Sequence, residues 1–126
     1  MTLPEGYPAL PEPLPSPVVD SHCHLDIGAS GRDGEAGIDV GTALAAAEAA
    51  GVDAVVQVGV DVPSSEEAVR LAGEWPRIGA ALAQNPNEAP RIHADRGAEA
   101  LQEAWRRIAE LARGERVVAV GETGMD

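Results

Sequence analysis

Pro17-Val18-Val19-Asp20-Ser21-His22-Cys23-His24-Leu25-Asp26 is the stretch whose reading decides the fold. An apolar run leads directly into two histidines one residue apart. Side chains alternate across a strand, so the pattern predicts a β-strand with His22 and His24 on one face and Cys23 on the other. By the same alternation Asp20 is expected on the imidazole face, one step deeper. Two imidazoles at one strand end supply half of a divalent metal site. A bare His-x-His also suits a polar surface loop. The far end of the chain weighs against that, because Val117-Val118-Ala119-Val120-Gly121-Glu122-Thr123-Gly124-Met125-Asp126 repeats the arrangement. There a second apolar strand opens onto a carboxylate, Glu122.

Between these two strands the pattern alternates. Ile27 to Gly37 is Gly-rich and polar and reads as a mobile loop. Ile38 to Ala50 is Ala-rich and predicts a helix that Gly51 stops. Ala54 to Gly59 lacks alternation and predicts a strand buried on both faces. Ser64-Ser65-Glu66-Glu67 reads as a capping box with Ser64 at the cap, opening a helix that Pro76 ends. Arg77 to Ala83 predicts a third strand and Gln84 to Arg96 a loop, in which His93 is an ordinary exposed histidine. Leu101, Trp105, Ile108 and Ala112 fall at helical spacing, and Trp105 is expected in the core. Strands alternating with helices make a parallel α/β protein. Residues 1–17 hold prolines at 4, 8, 11, 13, 15 and 17 and predict an extended arm without a core of its own.

Asp20-Ser21-His22-Cys23-His24-Leu25-Asp26 and Gly121-Glu122-Thr123-Gly124-Met125-Asp126 resemble the two N-terminal signatures of the TatD family of metal-dependent hydrolases. Ala50-Gly51-Val52, Val55-Val56-Gln57-Val58-Gly59 and Pro86-Asn87-Glu88-Ala89-Pro90 are similar to that family as well, in its order and spacing. Met125 stands where the family usually has Leu, a volume-conserving change. The resemblance implies a TIM-like (β/α)₈ barrel, which takes about 250 residues. Residues 18–126 are therefore expected to be its first half, about four β/α units, truncated. It implies that His22 and His24 hold one ion and that Glu122 bridges it to a second, the further ligands coming from later strands. The ions would be Zn²⁺, Mn²⁺ or Mg²⁺. The implied activity is hydrolysis of DNA as substrate, with trimming from a 3′ end. Lacking the later ligands, the 126-residue chain alone is expected to be inactive.

Other residues near the strand ends leave two readings each. Asp20 either orients an imidazole or caps the strand, and Asp26 and Asp126 either support ligands or shape loops. The family usually carries a His-Pro pair after the third strand, where this chain has Asn85-Pro86. An amide still hydrogen-bonds but does not titrate near neutral pH, so a phosphate contact there would lose its charge. A different barrel metallohydrolase, cleaving amides or esters, also opens with His-x-His. Many of those bridge their metals with a carbamylated Lys, and this chain has no Lys. A non-catalytic remnant or interaction module is the reading from another class.

Composition narrows the field further. The length of 126 residues allows one domain, and 44% hydrophobic residues without any Phe imply a core of Ala, Val, Leu and Ile. All nine basic residues are Arg, and the net charge of −12 carries no basic footprint for nucleic acid. Bound cations would have to supply the positive charge. The lone Cys23, the lack of an apolar stretch near the ~18 residues of a membrane span, and the lack of a signal-peptide pattern lead to the expectation of a cytoplasmic protein with no membrane partner.

Overall fold

The computed structural model describes residues 3, 5–30 and 37–125. The strands are β1 (Val18–Cys23), β2 (Val52–Val58), β3 (Ile78–Leu82) and β4 (Val117–Val120). The helices are α1 (Leu25–Ser30), α2 (Val40–Ala49), α3 (Val62–Glu74) and α4 (Glu88–Leu111). All strand pairs are parallel, and the sheet order is β1-β2-β3-β4. That order matters. A doubly wound sheet reverses direction at a switch point, whereas same-handed crossovers between successive neighbours keep every helix on one face. A sheet so covered curls toward a barrel, with its strand C-termini at one mouth.

The core lies between the helices and β2–β3. Leu44 of α2, Leu71 and Ala72 of α3 and Ile108 of α4 pack against Val55, Ile78, Ala80 and Leu82. Leu71, Ile78 and Leu82 are at most 1% exposed, and burying each is worth about 1.5–3 kcal/mol. Gly59, at the end of β2, is required by close approach, since a Cβ there would lie 2.5 Å from Ser65 Oγ. At the opposite ends of the strands, arginine forks tie neighbours together. Arg77 donates to the carbonyls of Val52 and Asp53, and Arg116 to those of Pro76 and Ile78. A planar guanidinium spans several carbonyls where a lysine ammonium would act as a point donor, which suits a chain whose basic residues are all Arg.

Several sequence expectations are corrected. The Gly-rich stretch begins inside α1, and residues 31–36 lie outside the described residues. The cap of α3 is Asp61, not Ser64. Asp61 Oδ1 accepts from the Ser64 backbone N–H at 2.8 Å, and Ser64 Oγ accepts from the Asp61 N–H at 3.1 Å. The box is thus three residues earlier, and Pro63 sits in the first turn, where a missing N–H costs nothing. Asp61→Ala should cost about 1 kcal/mol and lower the melting temperature by a few degrees in a thermal denaturation series. An unchanged melting temperature would show that the cap contributes nothing.

The segment Gln84 to Arg96 is mostly helix. The Asn85 side chain starts it, Oδ1 accepting from the backbone N–H groups of Asn87 and Glu88 at 3.0 Å each. Gly97 then breaks the helix direction at φ 86°, ψ 174°, a conformation that favours glycine. His93 is exposed as expected, but on this first arm of α4 rather than in a loop. Trp105 is not core. It is 46% exposed, while Ala104 and Ile108 beside it are buried. No helix among the described residues is long and apolar enough to cross a membrane.

Candidate metal centre

β1 and β4 are the outer strands of the sheet, yet the residues at their C-terminal ends meet. His22 Nε2 lies 3.4 Å from Glu122 Oε2, both side chains about half exposed to solvent. The His24 ring stands edge-on to that of His22, with centroids 5.2 Å apart and planes at 71°. Two donors about 2.1 Å from an ion at a tetrahedral angle are themselves about 3.4 Å apart. The His22–Glu122 separation therefore matches one edge of such a shell, and imidazole with carboxylate is the donor chemistry of Zn²⁺ or Mn²⁺. Among the described residues, no three His, Cys, Asp or Glu side chains converge closely enough to hold an ion by themselves. The described residues supply a partial site, with His24 adjacent.

What positions these residues is a bulge and a buried amide. Asp20 pairs with Val55 and Cys23 with Gln57, so three steps of β1 run against two of β2. The extra residue breaks the alternation and puts Asp20 in register with the Cys23 face, not with the imidazoles. Its carboxylate accepts from the His22 backbone N–H at 3.0 Å and so fixes the strand's conformation rather than a ring. Cys23 turns away from the histidines and packs against the core. Burial, with added repulsion from Asp20 and then Asp26, pushes its thiol up to about 11, so it stays protonated at neutral pH and is a poor ligand.

Gln57 is fully buried at the end of β2 and was not singled out from the sequence. Its Oε1 accepts from the Leu25 N–H, and its Nε2 donates to Asp26 Oδ1, each at 2.7 Å. One amide thereby pins the turn that follows His24. Asp26 is part of that clamp, while Asp126 lies outside the described residues. Asn85 is not gathered into the His22–Glu122 pair. It lines a groove that also includes Thr123, the residue after Glu122.

Comparison with known proteins identifies the family. A family model described as "TatD related DNase" matches residues 19–126. The chain is 40% identical over 111 residues to a Mycobacterium tuberculosis (strain ATCC 25618 / H37Rv) protein named "Uncharacterized metal-dependent hydrolase TatD". That match covers 86% of this chain and 37% of the relative, so the chain spans well under half the relative's length. The parallel sheet in sequential order, with its alternating helices, fits the first half of a TIM-like barrel. With paired signatures at two strand ends and a family match over nearly its whole length, the chain belongs to the TatD family of metal-dependent hydrolases.

Proposed function

We propose that this chain carries the first-ion ligands of a metal-dependent phosphodiesterase acting on DNA, removing nucleotides from a 3′ end in the cytoplasm. The observation that supports the reading most directly is the His22 Nε2–Glu122 Oε2 separation of 3.4 Å at the strand mouths. His22 and His24 would hold one divalent ion, and Glu122 would bridge it to a second. When bound, such ions lower the pKa of a water and stabilise the leaving oxygen of a phosphodiester. The chain's own residues orient the set. Asp20 fixes the His22 backbone, and Gln57 with Asp26 fixes the turn after His24. Glu122 would bring negative charge to offset the ions, and Cys23, turned away from the histidines, would not coordinate them.

Because no three donors converge among the described residues, the 126-residue chain alone should hydrolyse DNA far more slowly than a chain extended to the relative's length. The test is Mn²⁺- or Mg²⁺-dependent nucleotide release from 3′-labelled single-stranded DNA by both chains. Absence of chelator-sensitive release from the extended chain would sink the nuclease reading. Asn85→His in the same assay should raise the rate severalfold if that position meets phosphate. The histidine must also keep the start of α4, so helicity is followed by circular dichroism. An unchanged rate with intact helicity would remove Asn85 from the substrate path.

A further inference from the structure

A groove of about 430 Å³ runs between the start of α4 and the segment after β4. Its lining includes Gln84, Asn85, Pro86, Trp105, Thr123 and Met125, and among the described residues no lining residue is charged. In a chain with a net charge of −12, this is a neutral island. Gln84 stands between this groove and a neighbouring pocket that it also lines, where Asp61, Glu88 and Asp95 lie together with Arg91 and Arg96. Two observations mark the neutral groove as more than a gap. Trp105 offers an indole 46% exposed. Gln84 is 7% exposed, and neither its Oε1 nor its Nε2 has a hydrogen-bond partner among the described residues. Buried amides are nearly always paired, so Gln84 keeps donor and acceptor capacity that a ligand or a water can fill.

The lining chemistry selects the ligand. An anion would call for arginine and a cation for carboxylate, and the described lining of this groove offers neither. A flat, neutral group with donors and acceptors on its edge suits an indole face beside a carboxamide. Asn85 adds a second amide whose orientation is set, because its Oδ1 is held by the N–H groups of Asn87 and Glu88. We propose that this groove holds an unpaired nucleobase, stacked on Trp105 and hydrogen-bonded through the Gln84 amide, beside the residue that follows Glu122. The inference rests on the nuclease reading for its choice of nucleobase over other flat heterocycles. Stacking on an aromatic side chain and an amide that both donates and accepts are standard means of holding a single-stranded base.

The test is anisotropy of a fluorescein-labelled single-stranded tetra-deoxyadenylate in chelator, against an oligomer of the same length with abasic sugars. Trp105→Ala should weaken binding of the base-bearing oligomer roughly tenfold or more and leave the abasic one unaffected. Trp105→Phe should recover part of the loss. Gln84→Met should weaken binding severalfold while the melting temperature holds or rises by a few degrees, since it removes an unpaired buried amide. Equal binding of base-bearing oligomer by the parent chain and Trp105→Ala would overturn the subsite. So would loss of Trp105 accessibility to acrylamide in the extended chain, read in a Trp75→Phe background. Metal-dependent hydrolysis by the extended chain without any Trp105 dependence would discard the subsite and keep the nuclease reading. Trp105-dependent binding of bases without hydrolysis would do the reverse.

Discussion

Glu122→Ala is expected to lower metal-dependent hydrolysis by the extended chain more than about 100-fold, and by more than His24→Ala does. Changing a residue that merely orients a metal ligand commonly costs about 10–100-fold, and under the proposed function Glu122 would contact the ion itself. It stands 3.4 Å from His22 Nε2, so its removal deletes one of the two donors already at coordination distance from each other. His24 lies beside that pair, its ring centroid 5.2 Å from that of His22. In that role the carboxylate would also supply negative charge that imidazoles do not, and losing a bridging group would disturb both ions. Half-exposed as it is, Glu122 carries little of the fold, and the melting temperature should not move. Single-turnover nucleotide release, with Mn²⁺ titration calorimetry on the same variants, measures both effects. Activity within threefold of the parent after Glu122→Ala would remove Glu122 from the reaction. A larger loss for His24→Ala would leave the site intact and move the bridge elsewhere.

The alternation of strand and helix was legible because each apolar run is short and punctuated by Gly or Pro, and β2 and β4 are also rich in Val. The ends of β1 and β4 were legible for a related reason, since an apolar strand opening onto His or Glu has few structural explanations. The misread features depend on partners distant in sequence. Alternation placed Asp20 with the histidines, but a bulge against β2 reverses the face, and no local pattern encodes a bulge. Ser64-Ser65-Glu66-Glu67 satisfies a capping box by itself, yet Asp61 three residues earlier offers a better acceptor and lets Pro63 occupy the first turn. Pro86 and Pro90 made Gln84 to Arg96 look like a loop. In the folded chain Pro90 lies within the first turn of α4, where no intrahelical donor is lost. Trp105 sits at the right spacing for the core stripe, but α4 turns Ala104 and Ile108 inward and leaves the indole at the rim of a groove. For Gln57 a signal was present. A lone glutamine inside a run predicted to be buried on both faces must find partners for its amide, and that requirement points to a nearby backbone and carboxylate.

Gln57→Leu should destabilise the chain by about 2–3 kcal/mol, a large share of a small domain's stability. Leucine fills a similar volume, so little of the loss would come from a cavity. The cost lies in the groups left behind. The Leu25 N–H loses an acceptor at 2.7 Å, and Asp26 loses the donor that Gln57 Nε2 supplies at 2.7 Å. Each lost partner at a buried polar group costs about 1–3 kcal/mol, with Asp26 at the lower end because Gln57 is not its sole partner. Gln57→Glu should be worse still, since it sets a second carboxylate beside Asp26 at a position 0% exposed to solvent. The turn that Gln57 holds begins immediately after His24, so the same variant should weaken Zn²⁺ binding by roughly 10–100-fold even where the chain remains folded. Urea denaturation followed by circular dichroism gives the first quantity, and Zn²⁺ titration below the denaturation midpoint gives the second. A stability loss without any change in Zn²⁺ affinity would make Gln57 a core residue only. A destabilisation under about 0.5 kcal/mol would mean that water replaces the amide and that the clamp from β2 to the start of α1 is not what orders the histidines.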